Sequence, residues 1–198
     1  MGAAWGSGIN LYATILVLGG LGVTGNIVLP PGLEILMNPL VIGAAGLMYA
    51  IEFFADKVPG VDTGWDTVHT FIRIPAGVML AAGAVGEVNP AVAIAAGLVG
   101  GGLATSAHAA KAGTRLMINA SPEPVSNWTA SVMEDVAVIT GVWAALYHPV
   151  AFLAGLILFI LLLAWALPKL WEAVTSFFSF LGRMFNSGKT AGSSDVRL

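Results

Sequence analysis

The sequence predicts an all-α polytopic membrane protein of about six transmembrane helices, on three observations. Hydrophobic residues make up 57% of the chain and charged ones 10%, against roughly 25% charged in soluble domains; mean hydropathy is +0.86. Two uncharged runs, Val88–Ala107 and Pro149–Pro168, are each long enough to cross a bilayer. The charges pool in two windows, 52–75 and 105–135, which hold seven of the 11 acids and four of the 8 lysines and arginines. The net charge of −3 therefore says less than where the charges sit. With no cysteine, disulfides and thiolate metal sites are excluded.

Taken in order, the first span covers roughly 4–25, an uncharged start without the basic n-region of a signal peptide. The second, 38–56, opens at Asn38-Pro39, with proline suited to a first helical turn. Ile74–Gly86 and Val136–Tyr147 offer only 13 and 12 uncharged residues. To cross, each must extend about seven residues into a polar window, which carries His69, Arg73, Glu134 and Asp135 to membrane depth. The alternative is a pair of re-entrant or kinked helices, and Pro75 predicts a kink in the third span. Asn38-Pro39 and Asn89-Pro90 both open Gly/Ala-rich helices that return as polar-striped ones, a weak internal repeat. Gly97 and Gly101 form a helix-packing pair.

The domain reading is a transmembrane domain over 1–167, an amphipathic interfacial helix over 168–186 and a disordered cytoplasmic tail over 187–198. In a six-helix serpentine every Lys and Arg falls on one side, so the positive-inside bias places both termini in the cytoplasm of a bacterial inner membrane.

Helical spacing turns the polar residues into faces. Asp66, His69 and Arg73 lie at i, i+3, i+7; His108, Lys111 and Arg115 repeat that spacing, as do Ser7, Asn10 and Thr14. Asn127, Ser131 and Glu134 share one face of the fifth helix at i, i+4, i+7, flanked by Asp135, and Glu52 and Asp56 are an i, i+4 pair. Charge facing lipid is costly, so the stripes should turn inward and meet. The bland alternative is that Arg73 and Arg115 pair with these acids only to fix helix register. Asp62 and Glu123 fall at helix tips, where they contribute least. Glu134 and Asp135 are adjacent carboxylates whose repulsion poises one of them to exchange a proton, with His69 and His108 as relays.

Three motifs resemble a known family: GSGINLYAT (6–14), EFFADKVPGVDTGWDTVHTFIRIPAG (52–77), and SAHAAKAGTR (106–115) followed by SPEPVSNW (121–128) and Glu134-Asp135. They are similar to bacterial integral membrane proteins grouped as domain of unknown function 4126, over roughly residues 6 to 165. The resemblance implies the membrane class and carries no activity.

The convergent stripes and the acid excess favour a transporter or channel for a small solute or ion, linked to protons or cations. The binding residues in that reading are Asn10, Glu52, Asp56, Asp66, His69, Arg73, His108, Lys111, Arg115, Asn127, Ser131, Glu134 and Asp135. One alternative is a non-catalytic subunit or scaffold of a membrane complex. Another is a membrane-embedded carboxylate/His metal site, against which the intervening Arg and Lys argue. A non-enzymatic role is favoured, and no cofactor is expected: no strand precedes Gly100-Gly101-Gly102 to make a phosphate loop. The partners expected are the lipid bilayer, a small solute or ion, and a second copy or another membrane protein, with no nucleic acid.

Overall fold

The computed structural model describes residues 1–58, 60–86, 89–119 and 124–190. Among the described residues six α-helices follow one another: α1 (Gly2–Val23), α2 (Pro39–Ala55), α3 (Val61–Ala84), α4 (Pro90–Asn119), α5 (Pro124–Tyr147) and α6 (Pro149–Thr190). A short 3-10 helix, Pro31–Met37, precedes α2. Five helices are long and apolar enough to cross a membrane, and the 3-10 helix with α2, bent by 66°, makes a sixth candidate. The fold is that of an all-α polytopic membrane protein, as the composition predicts.

The two spans read as short in apolar residues are full helices of 24 residues each, α3 and α5. Their polar ends therefore belong to the helices. The repeat-like openings are built alike: Asn38 Oδ1 accepts from the Leu40 N–H at 2.8 Å, and Asn89 Oδ1 from the Ala91 N–H at 2.9 Å, each satisfying a donor that the first turn leaves orphaned.

A break that the sequence does not predict lies in α1. Pro75 sits inside an α3 that runs on to Ala84, whereas α1 loses helical dihedrals at Asn10 (φ −143°, ψ 100°). Asn10 Oδ1 accepts from the Ala13 N–H at 2.9 Å, so this side chain caps the second half of α1 as an N-cap residue would. Thr14 donates to the freed Asn10 carbonyl at 2.9 Å. A buried asparagine thus divides α1 into two half-helices while satisfying backbone groups at the break.

Residues 1–156 form one compact unit. Within it α1 packs on α2, α3, α4 and α5, and α3 lies along α4. Small residues set these contacts. A Cβ on Gly8 would strike the Ala104 carbonyl, and one on Gly100 would strike the Ala81 methyl and lie 2.8 Å from the Gly77 carbonyl. Gly97 and Gly101 flank Val78, at 3.1 and 2.7 Å from its methyls by the same construction. Such close approach lets dispersion hold helices together where lipid removes the hydrophobic drive. Large apolar side chains face outward, among them Leu40, Phe71 and Val150.

Residues 157–198 form a second unit. Its described part is helical to Thr190, with Pro168 inside the helix. The stretch read as a surface helix and the first residues of the expected tail are therefore helical, while 191–198 lie outside the described residues. So do residues 120–123, Glu123 among them.

Candidate functional site

Four helices bring their polar stripes to one buried point. The last turn of α2 presents Glu52 and, just beyond it, Asp56; α3 presents Asp66 and Arg73; α4 presents His108, Lys111 and Arg115; α5 presents Asn127 and Glu134. Arg73 donates through Nη2 to Glu52 Oε1 and through Nη1 to Asp66 Oδ1 at 2.8 Å. Lys111 Nζ stands 3.0 Å from Glu52 Oε1 and Asp56 Oδ2, 3.4 Å from Glu134 Oε2 and 3.5 Å from Asp66 Oδ1. Arg115 forks Glu134, Nε to Oε1 at 3.0 Å and Nη2 to Oε2 at 2.7 Å. It also reaches Asp56 Oδ2 at 3.2 Å, the Asp56 carbonyl at 3.0 Å and the Asn127 carbonyl at 3.2 Å. Glu52, Arg73 and Arg115 are wholly buried.

Four carboxylates (Glu52, Asp56, Asp66, Glu134) thus share three cations (Arg73, Lys111, Arg115), an excess of one negative charge. Three of the four also keep one buried oxygen without a hydrogen-bond partner: Glu52 Oε2, Asp56 Oδ1 and Asp66 Oδ2. The Arg73 Nε donor is in the same state. Leaving a buried acceptor unmatched costs about 1–3 kcal/mol, more when it is charged. The cluster is therefore tightly held by its cations and still incompletely satisfied.

Both histidines of the polar windows have tautomers dictated by their neighbours. The Arg73 guanidinium can only donate, so His108 Nδ1, 3.2 Å from its Nη1, accepts. His108 then donates from Nε2 to Thr70 Oγ1 at 2.6 Å, and Thr70 donates to the Asp66 carbonyl at 3.0 Å. His69 donates from Nδ1 to the Trp65 carbonyl at 2.9 Å and accepts at Nε2 from the Tyr12 hydroxyl at 2.9 Å.

Around the cluster lie three further groups. Asp135 is adjacent to Glu134 in sequence, yet it faces other partners: Asn10 Nδ2 at 3.0 Å on the broken α1 and the Tyr49 hydroxyl at 2.9 Å on α2. Lys57, in the connection after α2, lies over the Phe53 ring and donates to the Phe53 carbonyl at 2.8 Å; Ser131 Oγ is 3.5 Å away. Burial pushes the Lys57 ammonium below the ordinary lysine value. Asp62 is no exposed tip residue. It is fully buried and takes two bonds from Asn119 Nδ2, at 2.9 and 2.8 Å.

The helices leave concavities between them, one of which borders the cluster. A polar cleft of about 150 Å³ between α3 and α4 is lined by Thr63, Asp66, Thr67 and Thr70 on one side and His108 and Arg115 on the other, with Ala112 and Leu116 closing it. A larger apolar groove of about 650 Å³ lies between α1 and α5 at Leu16, Gly20, Ile139 and Trp143. Among the described residues no three His, Asp or Glu side chains form a group able to hold a metal ion. The reason is visible in the cluster, where a guanidinium or ammonium stands between the carboxylates.

Of the predicted residues, Glu52, Asp56, Asp66, Arg73, His108, Lys111, Arg115, Asn127 and Glu134 meet in one network. Asn10 and Asp135 form a separate pair, Ser131 approaches Lys57, and His69 turns to Tyr12. Ser7 and Thr14 bond the backbone of their own helix. Sequence reasoning missed Tyr12, Tyr49, Lys57, Thr70 and Asn119. The threonines at 63, 67 and 70 did leave a signal, an i, i+4, i+7 spacing like that of Asn127, Ser131 and Glu134.

No curated protein and no solved structure matches the chain. A family model does, that of a domain of unknown function, over residues 1–169. That span takes in every helix of the buried network, and the chain belongs to the domain of unknown function 4126 family.

Proposed function

We propose that this protein is a transporter or channel for a small solute or ion whose movement is linked to proton or cation exchange at the buried cluster. The observation that carries this reading is the charge count: four carboxylates face three cations, and three carboxylates each retain an unpartnered buried oxygen. A purely structural clamp is best served by matched charges, because an uncompensated buried charge costs several kcal/mol (roughly 3–5). A cluster one positive charge short instead holds one exchangeable proton or monovalent cation. The divided α1 beside Asp135 fits the same reading, since half-helices at membrane depth are a recurrent way to present backbone and side-chain ligands to ions. The proposed setting is a bacterial inner membrane with both termini cytoplasmic, supported by the one-sided Lys and Arg distribution. Reporter fusions after residues 30 and 148 should then read external, and fusions after 60 and 190 cytoplasmic.

The test is reconstitution into vesicles holding a pH-sensitive dye. Imposing a proton, Na⁺ or K⁺ gradient should change internal pH in wild-type vesicles, and Glu52→Gln, which equalises the charges at three against three, should remove that change while the protein stays folded. Wild-type protein that is folded, correctly inserted and moves no protons under any of these gradients would give the cluster to the register-fixing role.

A further inference from the structure

We infer that the cleft between α3 and α4 is a binding site for a small monovalent cation, with Asp66 Oδ2 as its charged ligand and the hydroxyl oxygens of Thr67 and Thr70 as neutral ones. The inference deepens the proposed function and rests on its charge count, but its geometry is independent of it.

The argument turns on where the hydrogens go. Each polar residue lining the cleft has committed its donors to other protein groups. Thr67 donates to the Thr63 carbonyl at 2.8 Å, Thr70 to the Asp66 carbonyl at 3.0 Å, and Thr63 to Asp62 Oδ1 at 3.3 Å. His108 spends its Nε2 hydrogen on Thr70 and its Nδ1 lone pair on Arg73. Arg115 uses all five of its N–H groups on Glu134, Asp56 and Asn127. What remains for a ligand is oxygen lone pairs. Thr67 Oγ1 keeps both of its own, Thr70 Oγ1 keeps one after accepting from His108, and Asp66 offers Oδ2.

Asp66 is 2% exposed. Its Oδ1 is taken by Arg73 at 2.8 Å, while Oδ2 is buried without a hydrogen-bond partner. A lining with acceptors and no spare donor repels an anion and suits a cation. Valence follows from the neighbours. Arg73 on α3, Lys111 and Arg115 on α4, Glu52 and Asp56 at the end of α2, and Glu134 on α5 leave the cluster as a whole, Asp66 included, with one uncompensated negative charge. One positive charge closes that balance and two would exceed it. At about 150 Å³ the cleft is large enough for such an ion with a few waters. Oxygen ligands at this count favour Na⁺, K⁺ or ammonium, and a proton on the same carboxylate competes with all three.

The experiment measures binding of radioactive Na⁺ to the full chain in detergent at fixed pH, with K⁺ and ammonium as competitors. Wild-type protein should bind close to one Na⁺ per chain, displaced by acid, and the order of competition identifies the preferred cation. Asp66→Asn should abolish binding. Thr67→Val, at an exposed position whose loss threatens no fold, should weaken it roughly tenfold, the equivalent of 1.4 kcal/mol; Thr129→Val, on the outer face of α5, should leave it unchanged. No saturable binding of any of the three cations would overturn the site, as would binding that Asp66→Asn and Thr67→Val leave intact. Proton flux in vesicles without cation binding would sink this site and spare the proposed function; cation binding without any flux would do the reverse.

Discussion

Helices α3 and α4 form the most extensive helix contact of the compact unit, and the two ends of that contact are built on opposite principles. At one end Gly77, Val78 and Ala81 press against Gly97, Gly100, Gly101 and Ala104, so closely that a Cβ added at Gly100 collides with its neighbours. At the other end Asp66, Thr70 and Arg73 face His108, Lys111 and Arg115, all of them charged or polar, and oxygens remain unmatched. The first end has no spare volume and no spare chemistry. The second has a cleft and a surplus charge. The difference teaches that the tight end supplies helix association, which leaves the charged end free to be imperfectly satisfied.

Substitutions at the two ends should therefore fail differently. The largest effect belongs to Gly100→Leu, because backbone and the Ala81 methyl occupy the space a side chain needs. We expect little folded protein by fluorescence-detected size exclusion, whereas Gly102→Ala, facing open space on the same helix, should behave as wild type. Equal yields would break the comparison at its tight end.

Next in size is Arg73→Leu. It leaves Glu52 and Asp66 without their shared guanidinium and widens the charge deficit from one to two. A loss of about 3–5 kcal/mol is expected, read as a lowered melting temperature in detergent. Adding Glu52→Gln to Arg73→Leu should recover part of it; strictly additive effects would mean the two groups are not coupled.

Glu52→Gln alone should cost less stability than Arg73→Leu, even though Glu52 contacts the same guanidinium. Removing an acid brings the cluster to three against three, whereas removing a base moves it further from balance. If the acid variant is the less stable of the two, the charge count is not what governs the site. Smallest of all is Glu172→Gln, at an exposed position of α6. It should shift stability by no more than about 0.5 kcal/mol and leave flux unchanged.

Much of the site was legible because helical spacing is a one-dimensional signal. Asp66 and Arg73, or His108, Lys111 and Arg115, declare a shared face by their separation alone, and the cost of charge in lipid turns that face inward. Partners across helices are not encoded that way. Glu134 and Asp135 are consecutive, so they point in directions about 100° apart on a helix, one to Arg115 and the other to Asn10 and Tyr49. Their adjacency suggested mutual repulsion, which the separate partners relieve. The break at Asn10 was hidden because proline advertises a kink, whereas an asparagine interrupts a helix only where its side chain can cap the next turn. Asp62 looked exposed because its partner, Asn119, lies 57 residues away. The threonine row of α3 escaped notice because hydroxyls that bond their own backbone are unremarkable in an apolar helix.

The central claim is that the buried cluster is one positive charge short and makes up the difference from outside the chain. Infrared spectroscopy of the detergent-solubilised protein near neutral pH, in a buffer whose only cation is too bulky for the cleft, tests it directly. The account predicts one protonated carboxyl per chain, lost on adding the small cation that the cleft binds and absent from Glu52→Gln. A wild-type spectrum with no protonated carboxyl in that buffer, or the same signal in wild type and Glu52→Gln, would contradict it.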